Sequence, residues 1–209
     1  MSNQLIIFTR YPEPGKTKTR LIPRLGEEGA ATLQHQMTEY TLTHARQLQS
    51  LLSLSVAIYF TGGNKSLIQD WLGSDLIYQQ QSEGDLGQRM QSAFEQGFIV
   101  GIKQAVIIGT DCPELNVAIL SEAFTALKRY DLVLGPARDG GYYLIGLSRL
   151  VPQLFQEIAW GTSEVFAQTK AIAQKLKLSI HCLPCLDDVD RPEDLYLWQR
   201  VISDNNARA

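Results

Sequence analysis

The chain has 209 residues, 44% hydrophobic and 20% charged, with a formal net charge of −3. A globule of that length hides roughly 70% of its unfolded surface, so composition excludes disorder, and the acidic balance argues against broad nucleic-acid binding. Three cysteines, an odd number, argue against a disulfide framework, and no apolar run reaches the ~18 residues of a membrane span. Residues 4–8 lack the basic leader of a signal peptide, so the chain is expected to be cytoplasmic and to form one domain over 1–209.

Strand-like and helix-like stretches alternate along the chain. Leu5–Phe8 reads as a buried strand, followed by a Pro/Gly loop and a helix over about Gly26–Ser50 with a mostly apolar stripe through Ala30, Leu33 and Met37. Val56–Phe60 is a second strand, then come a short helix with Leu67, Ile68, Trp71 and Leu72 and a weak strand at Leu76–Tyr78. Asp85–Gly101 reads as a helix, Val106–Ile108 as the most buried strand, and Leu120, Phe124 and Leu127 mark another helix. Strands at Leu132–Leu134 and Tyr142–Leu147 follow, then a helix over Ser163–Leu176, a strand around Ser179–Leu186 and a last helix opened by Pro192. Short links between alternating elements imply a mostly parallel sheet sandwiched between helices in three α/β/α layers. In such sheets ligands bind beyond the carboxyl ends of the strands.

Charge is unevenly spread. Five cations against Glu13 give +4 in residues 1–24, and the other fourteen cations against twenty-one acids give −7 in residues 25–209. Arg10, Lys16, Lys18, Arg20 and Arg24 thus form either a solvated basic loop or a local anion site. Gly15-Lys16-Thr17 invites a P-loop reading, but Arg10 stands where that pattern needs glycine, and Pro23 would interrupt a helix begun at Gly15. In an extended loop Lys16, Lys18 and Arg20 would point the same way and pair with phosphate oxygens, while Gly15 would let backbone approach them.

Three further loops hold acids. Asp111, in Gly109-Thr110-Asp111-Cys112-Pro113, either caps a turn or holds Mg²⁺ or Mn²⁺ at the end of a central strand. Arg138-Asp139-Gly140-Gly141 either makes a hairpin turn or leaves room for a ligand whose hydroxyls Asp139 accepts. Asp187-Asp188-Val189-Asp190 either caps the last helix through Asp190 or supplies the metal's second carboxylate. Cys182 and Cys185 form a C-x-x-C inside a strand-like run, which favours a buried structural pair over zinc or redox chemistry. His35 and His44 lack metal spacing and read as structural.

Taken together the loops resemble the GT-A fold of the nucleotide-diphospho-sugar transferases. More closely, the chain resembles a bacterial glycosyltransferase-like family related to the phospholactate guanylyltransferases. The resemblance rests on Arg10-x-Pro12-x-x-Gly15-x-x-Lys18-Thr19-Arg20-Leu21, Gly84-Asp85-Leu86-Gly87-x-Arg89, Gly109-Thr110-Asp111-Cys112-Pro113-x-Leu115, Asp139-Gly140-Gly141-Tyr142-Tyr143-Leu144, Trp160-x-Thr162-Ser163 and Asp188-Val189-Asp190-x-Pro192-x-Asp194-Leu195. It implies a metal-dependent transferase taking a nucleotide-sugar or nucleoside triphosphate donor and a small-molecule acceptor. Arg10, Gly15, Lys16, Lys18, Thr19, Arg20 and Arg89 would bind the nucleotide, with Lys18 and Asp111 in the chemistry. Asp111 and Asp190 would hold Mg²⁺ or Mn²⁺, and Asp139, Gly140, Gly141 and Trp160 would face the second substrate. Sugar transferases of this fold usually carry Asp-x-Asp where this chain has Gly109-Thr110-Asp111, which looks more like the nucleotidyltransferase branch. A module that binds nucleotide without turnover is the third reading, although binding alone needs fewer charged loops.

Overall fold

A computed structural model describes residues 2–206. Its strands are β1 (Asn3–Arg10), β2 (Leu54–Thr61), β3 (Ile77–Gln80), β4 (Gln104–Ile108), β5 (Leu132–Pro136), β6 (Tyr142–Leu147) and β7 (Ile180–Cys182). The helices are α1 (Ile22–Leu51), α2 (Lys65–Leu72), α3 (Leu86–Ile99), α4 (Val117–Ala126), α5 (Val165–Lys175) and α6 (Leu195–Asn206). The strands form one sheet in the order β3-β2-β1-β4-β6-β5-β7, parallel throughout except that β6 runs against both β4 and β5.

Alternation along β1 divides the core. Leu5 and Ile7 face α1, α2 and α4 together with Val56, Ile58, Ile68 and Phe124, whereas Ile6 faces α3 and α5 with Ala57, Tyr59, Phe94 and Ala173. With both faces covered, β1 reads as an apolar run and not as an alternating pattern. A third cluster joins the start of α1 to α6 through Leu21, Met37, Val189 and Trp198. Among the described residues no helix is long and apolar enough to cross a membrane.

Local chemistry sets the boundaries. Pro23 falls in the first turn of α1, and Gly26 (φ 73°) kinks that helix, so it begins upstream of where the apolar stripe starts. Asp85 accepts from the Gln88 amide while the Gln88 side chain accepts from Asp85 N, a capping box that starts α3. The final strand is shorter than its apolar pattern suggests. After Leu183, whose N–H still donates to Leu134 O at 2.9 Å, it leaves β5, and Leu186 returns to bridge Ala137. Cys182 and Cys185 therefore sit on the sheet's outer edge, free and exposed, so the expected buried pair is not formed; only Cys112 is buried.

Candidate active site

A cleft of about 480 Å³ opens over the carboxyl ends of β1, β2 and β4, lined by Arg10, Gln81, Asp111, Asp139, Trp160 and Asp188 among others. β1 and β4 pair in parallel through Ile7 and Ile108, so Thr9 and Thr110 emerge side by side just beyond the shared ladder. The Gln34 side chain, reaching from α1, donates to the hydroxyls of Thr9, Thr38 and Thr110 at 3.1–3.3 Å, and Thr9 and Thr38 share a further bond at 3.0 Å. This buried polar cluster fixes the backbone that presents Asp111.

Three segments meet at Asp111. Its carbonyl accepts from Val189 N at 2.8 Å, which ties the end of β4 to the acidic loop. Lys18 then donates to Asp111 Oδ1 at 2.5 Å and to Val189 O at 2.9 Å. Lys18 is left-handed (φ 43°), a conformation uncommon outside glycine, and its side chain is 6% exposed against 52% for Asp111. The first loop is a series of turns and not an extended strand, so its cations diverge. Lys16 pairs with Glu13 at 2.6 Å, Lys18 turns onto Asp111, and Arg20 donates to Asp190, which holds the Arg20 guanidinium more firmly protonated.

The three acids of the last loop have different fates. Val189 is fully buried against α1 and α6, so Asp188 and Asp190 project on either side of it. Asp188, nearer the end of the sheet, enters the cleft. Burial first, then the charges of Asp139, Asp111 and Asp190, push its carboxyl up to about 6. Asp190 engages Arg20 and does not line the cleft, and it does not cap the following turn; Asp194 accepts from the amides of residues 190 and 191 instead. Asp187 is turned outward onto Arg138 at 2.7 Å.

On the opposite wall, β5 and β6 form the hairpin that the Asp-Gly pair suggested, with Asp139 Oδ1 accepting from Gly141 N at 2.8 Å. Asp139 and Gly141 line the cleft, whereas Gly140 (φ 94°) lies beneath Ser163, where a Cβ would come within 2.1 Å of a carbonyl oxygen. Trp160 closes this side and meets Tyr142 edge-on, with centroids 6.4 Å apart. The indole rests on Gly87, whose missing side chain makes that contact possible. Gly-Asp-Leu-Gly thus caps a helix and seats a tryptophan, while Arg89 donates to Gly84 O at 2.9 Å and stays out of the cleft lining.

The structure therefore gathers Arg10, Arg20, Asp111, Asp139, Gly141 and Trp160 around one space, with Lys18 behind Asp111. It leaves Gly15, Lys16, Thr19, Arg89, Gly140 and Asp190 outside the lining; Gly15 (φ 75°) lies beside the Glu27 carboxylate. Sequence reasoning named Asp188 within the acidic cluster but singled out Asp190 as the second carboxylate, and it missed Gln34 and Gln81. The signals for Asp188 were its place two residues beyond Leu186 and the apolar Val189 beside it; for Gln34, a polar residue set into the apolar stripe of α1. Among the described residues no three of His, Cys, Asp and Glu are grouped to hold an ion by themselves.

Comparison with known proteins agrees with this architecture. The chain is 28% identical over 196 residues to a phosphoenolpyruvate guanylyltransferase of Chloroflexus aurantiacus, covering 91% of this chain and 93% of that one. A Desulfovibrio desulfuricans G20 structure, assigned to the nucleotide-diphospho-sugar transferases, shares 30% identity and superposes with a TM-score of 0.88 over 99% of this chain and 96% of its own. The manganese complex of Mycobacterium tuberculosis Rv0371c shares the fold, at 16% identity and a TM-score of 0.55 over 97% and 98% of the two chains. Residues 42–162 match the model of the family described as "Uncharacterized protein conserved in bacteria (DUF2064)", and the chain belongs to that family.

Proposed function

We propose that the protein is a nucleotidyltransferase, moving a nucleoside monophosphate from a triphosphate donor to a small anionic acceptor, with Mg²⁺ or Mn²⁺ as cofactor. The observation that carries this reading is that one strand-end carboxylate, Asp111, shares the cleft with Asp188 of the adjoining loop, where Asp-x-Asp would have put two on the same strand. The residues fit a hard divalent ion: two carboxylates supply oxygen ligands, and donor phosphates and water complete a set that no cluster among the described residues completes. When bound, such an ion offsets charge growing on the phosphoryl oxygens.

This chain's own residues do the rest. Arg10 and Arg20 line the cleft beside the carboxylates and would grip donor phosphates by charge-assisted bonds. Trp160 and Gly141 bound the opposite wall and would position the acceptor oxygen for attack on the α-phosphorus, with pyrophosphate leaving. The guanylyltransferase likeness makes guanosine triphosphate the first donor to try, and the exposed thiols of Cys182 and Cys185 suit a reducing cytoplasm. A second reading, glycosyl transfer, is favoured by the high similarity of the Desulfovibrio structure. One experiment separates them. The protein is incubated with Mg²⁺ or Mn²⁺, carboxylate and phosphate acceptors, and either nucleoside triphosphates or nucleotide-sugars. Acceptor-dependent pyrophosphate from a triphosphate supports the proposal; free nucleoside diphosphate from a nucleotide-sugar, without pyrophosphate, replaces it with glycosyl transfer.

A further inference from the structure

The Lys18 ammonium occupies the position that a metal-binding carboxylate would normally keep free. It lies 2.5 Å from Asp111 Oδ1, and its second bond, 2.9 Å to Val189 O, anchors it to the loop that carries Asp188. The side chain is 6% exposed, and Lys18 does not line the cleft that Arg10 and Arg20 enter. A phosphate-gripping lysine should reach into the open space; this one is turned away from it and neutralises the acid. A buried ammonium needs such a partner, because an unpaired charge there would be strongly disfavoured.

We infer that Lys18 is a resident counterion that makes metal binding depend on donor binding. This role rests on the nucleotidyl-transfer reading and turns on which cation balances Asp111 and when. In the free protein the ammonium already satisfies that carboxylate, so a divalent ion arriving alone meets a fixed positive charge next to its ligand. An ion on the other oxygen of the same carboxylate would sit roughly 4–5 Å from Nζ. At that distance, in a water-like dielectric, unit-to-double charge repulsion weakens binding roughly 10- to 30-fold. A triphosphate reverses the balance, because its negative charge in the cleft offsets the repulsion between the ammonium and the ion, and its oxygens supply the ligands that an Asp111 shared with Lys18 does not. Metal and donor then bind together, and the ion is not held idle in an empty cleft. Lys18 is in this sense a positioning residue that acts through Asp111.

The test measures binding without turnover. Mn²⁺ is titrated into wild-type protein and Lys18→Met, followed by electron paramagnetic resonance of free Mn²⁺, first alone and then with a non-hydrolysable triphosphate. Lys18→Gln, which keeps a donor but no charge, is the second variant, and circular dichroism checks that each is folded. The expected result is Mn²⁺ binding about 10- to 30-fold tighter in both variants without nucleotide. The wild type should gain far more Mn²⁺ affinity from the triphosphate than either variant does. Unchanged or weaker Mn²⁺ binding in folded variants overturns the inference and makes Lys18 a support that orients Asp111 for the ion. If wild-type protein binds neither Mn²⁺ nor any triphosphate, the nucleotidyl-transfer reading fails, and the inference falls with it.

Discussion

Replacing Asp188 with asparagine removes a charge that the folded protein holds against several opposing effects. The carboxyl is half-buried, faces Asp139, Asp111 and Asp190, and is pushed from the ordinary 3.8 up to about 6. That difference corresponds to about 3 kcal/mol of disfavour for the ionised form above pH 6, an upper value because water reaches one side of the cleft. The sign follows from linkage. A raised folded-state value means that the stability Asp188 contributes is fully present below about pH 3.8 and is lost as pH rises through about 6. The asparagine amide has the same shape as the carboxyl and does not titrate. With chelator present, Asp188→Asn should therefore be more stable than wild type by about 1–3 kcal/mol at about pH 7.5, with the advantage mostly gone by about pH 3.5. In a domain of this size that is roughly 2–10 °C in Tm. Urea melts at the two pH values measure both. A variant no more stable than wild type at the higher pH, or an advantage that persists at the lower one, would show that repulsion and burial at Asp188 have been misread. The gain should carry a functional loss, since the same substitution removes a proposed metal ligand.

Three further substitutions test the walls of the cleft. Gly140→Ala puts a methyl 2.1 Å from Ser163 O at a φ of 94°, so the hairpin must move away from the segment leading into α5; thermal melts should show a loss of more than about 2 kcal/mol. Gly87→Ala places its methyl 2.5 Å from the Trp160 ring; the indole should be displaced, changing tryptophan fluorescence and raising KM for the acceptor more than for the donor. Gln34→Leu keeps the volume but leaves the Thr9, Thr38 and Thr110 hydroxyls without their shared amide, and should cost about 1–3 kcal/mol in a urea melt.

Much of the fold was legible because its strands are buried on both faces and its helices carry one apolar stripe, patterns that survive whatever the loops do. The run Leu5–Phe8 and the stripe through Leu33 and Met37 needed no tertiary information. The direction of β6 was weakly signalled: Asp-Gly pointed to a hairpin, but nothing local said that β6 would be inserted between β4 and β5. The site was legible at the strand ends, where Asp111 and Asp139 stand. It was illegible in side-chain allegiance. Lys16, Lys18 and Arg20 are equivalent cations in sequence, and only the turn at left-handed Lys18 sends them to three different acids. Cys182 and Cys185 lie in an apolar-looking run, yet the chain leaves the sheet between them, and no periodicity records that departure.

The basic segment and the acidic cluster stand far apart in the sequence but meet at one site. Asp111, Asp139 and Asp190 lie close enough to raise the cost of ionising Asp188. Left unbalanced they would repel a triphosphate as strongly as they attract a metal ion. The first loop supplies two cations to this group, Lys18 to Asp111 and Arg20 to Asp190, which leaves Asp188 and Asp139, among the described residues, without an ion-pair partner and facing the cleft. Arg20 also lines that space, so it can exchange a carboxylate for a phosphate oxygen without crossing the site. The protein meets an incoming anion with paired cations already in place and with carboxylate charge to spare for a divalent ion. A cleft lined only by arginine would bind triphosphate but exclude the ion, and one lined only by aspartate would do the reverse. Alternating the two signs across the loops lets one site accept both.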